Sequence, residues 1–323
     1  MKNKKQKLFI SLLIITSIFI SACSFSESKS RDVIKMTEKY GITGDMSHKT
    51  ATFFSNVCVP KDTPEIGIKD ISHVMSAAVF NLTKNQALYG YNSLERVYPA
   101  STTKILTALT ALKYGNLDQE ITVSDNAVNV KKGSSLAHLN KGDVLSLRQL
   151  LYGLMLPSGN DAAVAIAEGV AGSQEKFLEL MNSEAKSLGC THSNFITVNG
   201  LHDDNHYTTP YDIYLIANAA IQNNDIAQVM STTSYDAYYK DANGQAVTNQ
   251  WKSTDLFASG DKKLPDGFTF VGGKTGTTGE AKYCLVLVTK NPEGDTIISE
   301  VYGADNRYNL YLVQEELLTA VAQ

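Results

Sequence analysis

Hydrophobic residues recur with strand-like spacing near both ends of the folded part of this chain and with helical spacing in between. Short apolar runs on either side of Asn85, within 76–91, predict two strands. Apolar residues three and four positions apart then predict a helix that ends at Gly115, and further helices within 147–154, 162–167 and 177–188. The middle of the chain is therefore predicted to be mainly helical.

Beyond Gly267 the pattern changes to short runs of β-forming residues. Runs over 268–271, 283–289 and 296–302 predict three strands, and a closing helix is predicted over 308–321. In that helix three leucines are expected to face inward and three polar residues to be partly solvated: Leu310, Leu317 and Leu318, and Gln314, Glu315 and Glu316. The order of elements predicts an α+β fold in which one sheet takes strands from both ends of the chain.

The first residues have the pattern of an export signal. Four lysines within 2–7 precede an apolar run over 8–20, which is shorter than the roughly 20 residues that span a bilayer. Small residues, Ser21 and Ala22, then precede Cys23. An uncleaved transmembrane helix is the alternative. The residues up to Cys23 resemble the lipobox of bacterial lipoproteins, which implies cleavage before Cys23 and a lipid on its sulfur.

These features predict three segments. Residues 1–22 are expected to be a lipoprotein signal peptide, and 23–62 a lipidated cysteine followed by a flexible tether rich in Ser, Lys, Thr and Glu. Residues 63–323 are expected to form the folded domain, with folded structure beginning near Ile66. We therefore expect an exported protein that is lipid-anchored to the outer face of the bacterial cell membrane.

Composition excludes some classes of protein. With 43% hydrophobic and 19% charged residues among 323, the chain is that of a globular protein. Its formal charge of −4, with scattered Lys and Arg, gives no basic surface for a nucleic acid. Three further cysteines, Cys58, Cys190 and Cys284, lack metal-ligand spacing, and the last two are expected to be buried thiols.

Ser101 and Lys104 form the first candidate site, where the helix that ends at Gly115 begins. A separation of three residues is one helical turn, so the hydroxyl and the amine project from the same face. The positive end of the helix and its apolar surroundings disfavour a second positive charge, so the pKa of Lys104 is expected to fall. A serine cap followed by a surface lysine is the alternative for so short a pattern.

Two further clusters carry candidate chemistry. Ser158 can relay protons and Asn160 can hold a substrate amide, although both are also ordinary residues before a helix. Glycines within 272–277 let a ligand approach the backbone, and Lys274 and Thr275 suit a carboxylate. A glycine-rich turn is the alternative there, whereas the full spacing of a phosphate-binding loop is missing.

In this order, Ser-x-x-Lys, Ser-x-Asn and Lys-Thr-Gly resemble the motif trio of serine penicillin-binding proteins and β-lactamases. The stretches 98–112, 151–168 and 200–212 look like the low-molecular-mass D-alanyl-D-alanine carboxypeptidase family. The resemblance implies a β-lactamase/transpeptidase-like α+β fold, with an antiparallel sheet, flanking helices and an inserted helical subdomain. It also implies a serine peptidase that removes terminal D-alanine from peptidoglycan stem peptides, uses no cofactor and is inhibited by β-lactams.

The resemblance assigns roles to the catalytic residues. It implies that Ser101 is the nucleophile and that Lys104 takes its proton. Ser158, with Lys274, would form a second proton path and an electrostatic anchor. The backbone N–H groups of Ser101 and Thr277 would form the oxyanion hole.

The resemblance also implies substrate-binding residues. Asn160 would orient the substrate amide, while Lys274, Thr275 and Thr277 would bind the substrate next to its terminal carboxylate. Arg307 is a further candidate for that carboxylate, and a surface arginine ahead of a helix is the alternative. The family usually has Ala-Gly-Tyr after its Lys-Thr-Gly segment. This chain has Lys282 in the middle position, which puts the local strand packing in doubt.

Some alternative functions need features that this sequence lacks, and others use the same residues and cannot be told apart by sequence. Class A β-lactamases carry Glu-x-x-Leu-Asn, and none stands between Asn160 and Lys274. A silent wall-binding lipoprotein would have lost a member of the trio. Endopeptidase and transpeptidase activities use the same residues and remain open. His202 and His206 imitate metal ligands, but they lie in a predicted loop without a third ligand set, so no metal is expected.

The predicted closing helix bears on membrane attachment. Many relatives continue beyond the catalytic domain and finish in an amphipathic helix that lies on the membrane. Here the stretch 310–321 has no Lys or Arg to meet anionic lipid. Attachment is therefore expected from the N-terminal lipid.

Overall fold

The structure, a computed structural model, describes residues 57–59, 68 and 70–322. The predicted signal peptide, Cys23 and most of the predicted tether lie outside the described residues. Within the described residues, no helix has the length and apolar character needed to cross a membrane.

The main sheet is antiparallel and takes strands from both ends of the described chain. Its strands, in spatial order, are β2 (Gln86–Tyr91), β1 (Ser76–Asn81), β9 (Thr296–Ala304), β8 (Lys282–Lys290) and β7 (Thr269–Thr278). In the centre β1 pairs with β9, with Ala78 opposite Glu300. The predicted sheet architecture is confirmed.

Helices fill the stretch between the strands. A 3₁₀-helix (Ala100–Thr103) leads directly into α1 (Lys104–Tyr114), whose last turn ends at Gly115. The others are α2 (Asp125–Val128), α3 (Leu147–Met155), α4 (Asn160–Ala171), α5 (Gln174–Ser187), α6 (Pro210–Gln222), α7 (Asn224–Ser231), α8 (Leu256–Ser259) and α9 (Arg307–Val321). A capping box of Ser146 and Gln149 begins α3, and Pro210 occupies the first turn of α6, where its missing N–H costs no hydrogen bond.

A second sheet was not predicted from the sequence. It consists of β3 (Glu120–Thr122), β4 (Val144–Ser146), β5 (Ser234–Lys240) and β6 (Ala246–Lys252) in that order. The hairpin β5–β6 alternates exposed and buried residues, and its buried Trp251 donates from Nε1 to the carbonyl of Ala137 at 2.8 Å. The three-residue strands β3 and β4 are too short to show a periodic signal in the sequence.

The two faces of the main sheet belong to different hydrophobic cores. Leu285 and Leu287 face α9, whereas Val286 and Val288 face the helical core formed with α1 and α6. Alternate side chains of one strand point to opposite faces, so β8 contributes to both cores. The helices α1, α4 and α6 therefore stand on the face of the sheet opposite to α9.

The closing helix α9 packs as predicted with one exception. Leu310, Leu317 and Leu318 are buried, and Glu315 and Glu316 are partly exposed. Gln314, predicted to be partly solvated, is fully buried, so that prediction was wrong. Its amide Nε2 donates to the carbonyl of Ser299 on β9 at 3.2 Å, which offsets part of the cost of removing the amide from water, while its Oε1 is buried without a hydrogen-bond partner.

Residues 57–59 precede the position where folding was predicted to begin, and Cys58 is nevertheless buried. Its N–H donates to the Tyr214 hydroxyl at 2.7 Å, and its carbonyl accepts from the Tyr211 hydroxyl at 3.0 Å, both on α6. Cys190 and Cys284 are also buried free thiols, as predicted. The folded unit thus includes Cys58.

Candidate active site

Ser101 lies in the 3₁₀-helical turn that leads into α1. Ala100 has a φ of 47°, a left-handed conformation that non-glycine residues rarely adopt. Gly200 packs directly against it: a Cβ built on Gly200 would lie 1.9 Å from the Ala100 carbonyl oxygen. The turn that presents the nucleophile is therefore held by close backbone packing that only glycine permits at position 200.

Lys104 is fully buried and is surrounded by oxygen atoms. Its Nζ lies 2.7 Å from Asn160 Oδ1, 2.7 Å from the Asn199 carbonyl and 2.9 Å from Ser101 Oγ. Both carbonyl oxygens are acceptors only, so each takes an N–H from the amine. A neutral amine has two N–H groups, and its lone pair then faces the Ser101 hydroxyl. In this form the Lys104 amine can accept the proton of the Ser101 hydroxyl.

The charge environment favours that neutral form. Burial holds the pKa of Lys104 well below its ordinary value, and the positive charge of Lys274 lowers the pKa further. The carboxylate of Asp161 opposes both effects. That carboxylate already accepts hydrogen bonds from the backbone N–H groups of Ala137 and Leu139, at 2.8 and 3.0 Å. The predicted fall in the pKa of Lys104 is supported, with burial as its main cause.

Ser158 and Lys274 form a second pair that faces the same cleft. Ser158 has a φ of 61° at the end of the turn before α4, and its Oγ accepts from Lys274 Nζ at 3.0 Å. Lys274 also donates to the Thr275 carbonyl at 2.9 Å. Burial lowers the pKa of Lys274 to about 7, and the charge of Asp255 opposes this shift. Lys274 can therefore change charge near neutral pH.

Strand β7 passes close to the nucleophile. A Cβ built on Gly276 would lie 3.1 Å from the backbone nitrogen of Ser101 and 3.0 Å from the Pro99 carbonyl oxygen. The absence of a side chain at Gly276 lets the strand approach this closely. The backbone of Thr277 follows directly, so the two predicted oxyanion donors belong to adjoining segments.

One cavity of about 220 Å³ collects most of the predicted residues. It is lined by Ser101, Ser158, Thr275, Thr277 and Arg307, together with Thr254 and Tyr311. Thr254 and Thr275 hydroxyls lie 2.5 Å apart, and Arg307 donates to the Thr254 carbonyl at 3.0 Å. The structure thus places Arg307 beside the hydroxyl groups that were predicted to bind a carboxylate.

A second cavity, of about 490 Å³, opens on the other side of Ser101. Asn160 and the segment 131–135 line it, opposite the turn between β7 and β8. The Asn160 N–H donates to the Ser135 carbonyl at 2.9 Å, which ties that segment to the start of α4. Ser101 therefore lines both cavities.

The two histidines of the predicted loop are not arranged as metal ligands. His206 Nδ1 accepts from the backbone N–H of Ile196 at 3.0 Å, so its Nε2 carries the proton and donates to Thr103 Oγ1 at 2.9 Å. Burial lowers the pKa of His206 to about 4. Among the described residues no group of His, Cys, Asp and Glu could hold a metal ion. His206 therefore supports the catalytic turn through Thr103.

Sequence reasoning missed several residues of this site. The Asn199 carbonyl, Thr254, Asp255 and Thr103 have no motif, because backbone groups and single polar residues leave no pattern. Lys282, where the family usually has glycine, has a φ of 55° and pairs with Asp305. The left-handed conformation explains why glycine suits this position and shows that the turn keeps its shape with lysine.

Comparisons with known proteins agree with this geometry. A family model described as D-alanyl-D-alanine carboxypeptidase matches residues 25–306. The D-alanyl-D-alanine carboxypeptidase DacF of Bacillus subtilis is 32% identical over 234 residues, which cover 71% of this chain and 57% of that protein. A D-alanyl-D-alanine carboxypeptidase of Streptomyces sp. strain K15 is 38% identical over 217 residues, covering 63% of this chain and 72% of that protein. The chain thus spans little more than half the length of the Bacillus relative.

Solved structures resemble the fold as well. The crystal structure of the Streptomyces K15 DD-transpeptidase matches with a TM-score of 0.72 and 31% identity, covering 78% of this chain and 98% of that one. A D-alanyl-D-alanine carboxypeptidase from Mycobacterium tuberculosis matches with a TM-score of 0.68 and 26% identity, covering 81% and 96%. These matches confirm the predicted fold class. The chain belongs to the D-alanyl-D-alanine carboxypeptidase family.

Proposed function

We propose that this protein is a serine D-Ala-D-Ala carboxypeptidase that removes the terminal D-alanine from peptidoglycan stem peptides. The observation that carries the proposal is the buried amine of Lys104. Two carbonyl oxygens take its N–H groups, which leaves its lone pair facing Ser101 Oγ at 2.9 Å. Family membership supplies the substrate class.

Acylation follows from this geometry. Ser101 Oγ attacks the carbonyl carbon of the penultimate D-alanine while Lys104 takes the hydroxyl proton. Negative charge develops on the carbonyl oxygen, next to the backbone N–H groups of Ser101 and Thr277. The C–N bond then breaks, and the leaving amine receives a proton by way of Ser158, whose hydroxyl is bonded to Lys274. Free D-alanine departs, leaving an ester on Ser101.

The cavity beside Ser101 suits the terminal carboxylate of the substrate. Thr275 and Thr277 offer hydroxyl groups, and Arg307 and Lys274 offer positive charge. Arg307 already spends one N–H on the Thr254 carbonyl, so it is held in place before substrate arrives. A fixed guanidinium binds carboxylate with a smaller entropic cost than a mobile one.

The acceptor of the acyl group decides between carboxypeptidase and transpeptidase. Water gives hydrolysis, whereas an amine from a second stem peptide gives a crosslink. The solved Streptomyces K15 relative is called a DD-transpeptidase, so transfer to an amine is the second candidate. Both use the same ester on Ser101.

Incubating the purified domain with a pentapeptide stem, with and without an amine acceptor, tests the proposal. We expect release of D-alanine and a tetrapeptide, and labelling of the wild type by a fluorescent penicillin. Ser101→Ala should show neither, while Ser183→Ala, at an exposed position of α5 that lines neither cavity, should retain labelling. Labelling of Ser101→Ala at another residue would contradict the assignment of the nucleophile.

We further propose that Cys23 carries a lipid that holds the enzyme to the outer face of the cell membrane, after removal of residues 1–22. The sequence around Cys23 supports this, with the apolar run before it and the polar tether after it. Cys23→Ala should release active enzyme from membranes or leave it held only by an uncleaved signal. Tight membrane association of a chain starting at Ser24 would contradict the proposal.

A further inference from the structure

Asp255 is a buried acidic residue next to the cavity lined by Thr254, Thr275 and Arg307. It has no part in the mechanism proposed above. It is 1% exposed and lies just before α8. Its Oδ1 accepts from the Phe257 N–H at 3.0 Å and from the Tyr311 hydroxyl at 3.2 Å. Its Oδ2 is buried without a hydrogen-bond partner. Removing a carboxylate oxygen from water without giving it a hydrogen-bond partner costs free energy. Capping a helix does not require this cost.

The unpartnered oxygen lies against β7, one residue from Lys274. A Cβ built on Gly273 would be 2.5 Å from Asp255 Oδ2. Gly273 pairs with Leu287 and Lys274 with Val286, and these two partners belong to the cores on opposite faces of the sheet. Asp255 and the Lys274 side chain are therefore on opposite faces of one strand, separated by little more than its backbone.

We infer that Asp255 is a positioning residue for the reaction: its buried carboxylate acts through β7 to keep positive charge on Lys274. This inference rests on the proposed function, because the charge of Lys274 matters there for binding the substrate carboxylate and for the proton path through Ser158. The same positive charge lowers the pKa of Lys104, so Asp255 indirectly helps to keep the base neutral.

Among the charges around Lys274, the carboxylate of Asp255 is the main negative one. Burial raises the pKa of Asp255 to about 6, so it is ionised at neutral pH, and its charge opposes the loss of the Lys274 proton. From α9, Tyr311 and Arg307 face Asp255 and favour its ionised form. From α1, Lys104 faces Lys274. On or next to the short helices that pack against β7, Asp225 of α7 is paired with Arg148, and Lys262, after α8, is paired with Glu315.

The test is the pH dependence of acylation by a fluorescent penicillin in three folded proteins. Asp255→Asn removes the charge but keeps the shape and the cap, since Asn caps helices as well as Asp does. Asp261→Asn removes the same charge from an exposed position bonded to Ser259 Oγ. In the pH profile of the acylation rate constant, the alkaline limb is the range in which the rate falls as pH rises. For Asp255→Asn we expect this limb to lie about one pH unit lower than in the wild type. Asp261→Asn should leave the limb in place.

An unmoved alkaline limb in folded Asp255→Asn overturns the inference and leaves Asp255 as a helix cap. If Asp255→Asn fails to fold, Asp255→Ser, which keeps a capping oxygen, must show the same shift. A titration of the Lys274 ¹³Cε resonance by NMR in the full chain should show the same fall in the Lys274 pKa, and an unchanged value also overturns the inference. Absence of wild-type labelling at every pH would instead refute the proposed function.

Discussion

The two lysines of the cleft are both fully buried, yet their surroundings differ. Lys104, at the start of α1, has three oxygen neighbours within 2.9 Å, and its pKa lies well below the ordinary value. Lys274, on β7, has two oxygen neighbours, and its pKa falls only to about 7. Burial lowers both pKa values. The adjacent charges differ, because Lys104 faces the positive Lys274, whereas Lys274 faces the negative Asp255 across its strand.

The comparison teaches how one cleft can hold a neutral amine beside a charged one. Two buried ammonium groups repel, so the pair keeps one proton more readily than two. On the helical side of the cleft, oxygens of Asn160 and Asn199 accept the two N–H groups of Lys104, which leaves the lone pair of the amine for Ser101. The strand side supplies a counter-charge. Four changes test this division of roles.

Replacing Lys104 by Arg should have the largest effect. Arginine stays protonated and is larger, so it cannot take the Ser101 proton. Because positioned proton transfer contributes about 10²–10⁴-fold, penicillin labelling should slow by at least that factor. Lys113→Arg, in a surface ion pair with Glu184, is the control and should label normally. Near-normal labelling of Lys104→Arg would show that another group takes the proton.

Gly200→Ala should disrupt the helical side of the cleft alone. The new methyl would clash with the Ala100 carbonyl, and the φ of +83° adds strain, so we expect a loss of about 3–5 kcal/mol in the free energy of unfolding. Gly172→Ala is a matched control with a φ of +80° and open space around it, and should cost only about 1 kcal/mol. Urea denaturation measures both. Equal losses would mean that the contact with Ala100 is unimportant.

Lys274→Met should impair acylation and change how stability depends on pH. The pKa of Lys274 falls from 10.5 to about 7 on folding, so the unfolded chain binds more protons between these values and wild-type stability rises with pH there. Methionine does not titrate, so we expect the stability of the wild type relative to Lys274→Met to rise by about 1 kcal/mol per pH unit between these values. Urea denaturation near pH 7 and near pH 10 is the measurement, and a difference that stays constant would contradict the lowered pKa.

Lys282→Gly should have the smallest effect. Glycine relieves the left-handed strain of about 1 kcal/mol but loses the exposed ion pair with Asp305 and makes the unfolded chain more flexible. The net change in unfolding free energy should stay within about 1 kcal/mol, with labelling unchanged. Lys282→Ala keeps the strain and loses the pair, so it should be the less stable of the two. A large loss of labelling in either would place the turn in the catalytic cleft.

Long periodic segments were predictable from the sequence, and short or irregular ones were not. The helix ending at Gly115 and the last two strands show several repeats of their spacing, so α1, β8 and β9 were predicted correctly. The strand predicted over 268–271 is only the start of β7, which continues to Thr278, because glycines interrupt the run of β-forming residues. The hairpin β5–β6 is half-exposed and mixes Tyr, Asn and Gln, which hides its alternation. The burial of Gln314 was predicted wrongly because spacing shows which face of a helix a residue lies on, but not that the Ser299 carbonyl accepts a hydrogen bond there.

The sequence by itself determined the order of the motifs and the proximity of Ser101 to Lys104, because one helical turn brings the two side chains together through local geometry. Only the tertiary structure decided the charge of the two lysines, because burial and long-range neighbours set a pKa. Asn199, Asp255 and Lys274 are distant from Ser101 in sequence. Folding brings Asn199 to Lys104 and Asp255 to β7 next to Lys274, and the chemistry of the cleft depends on those contacts.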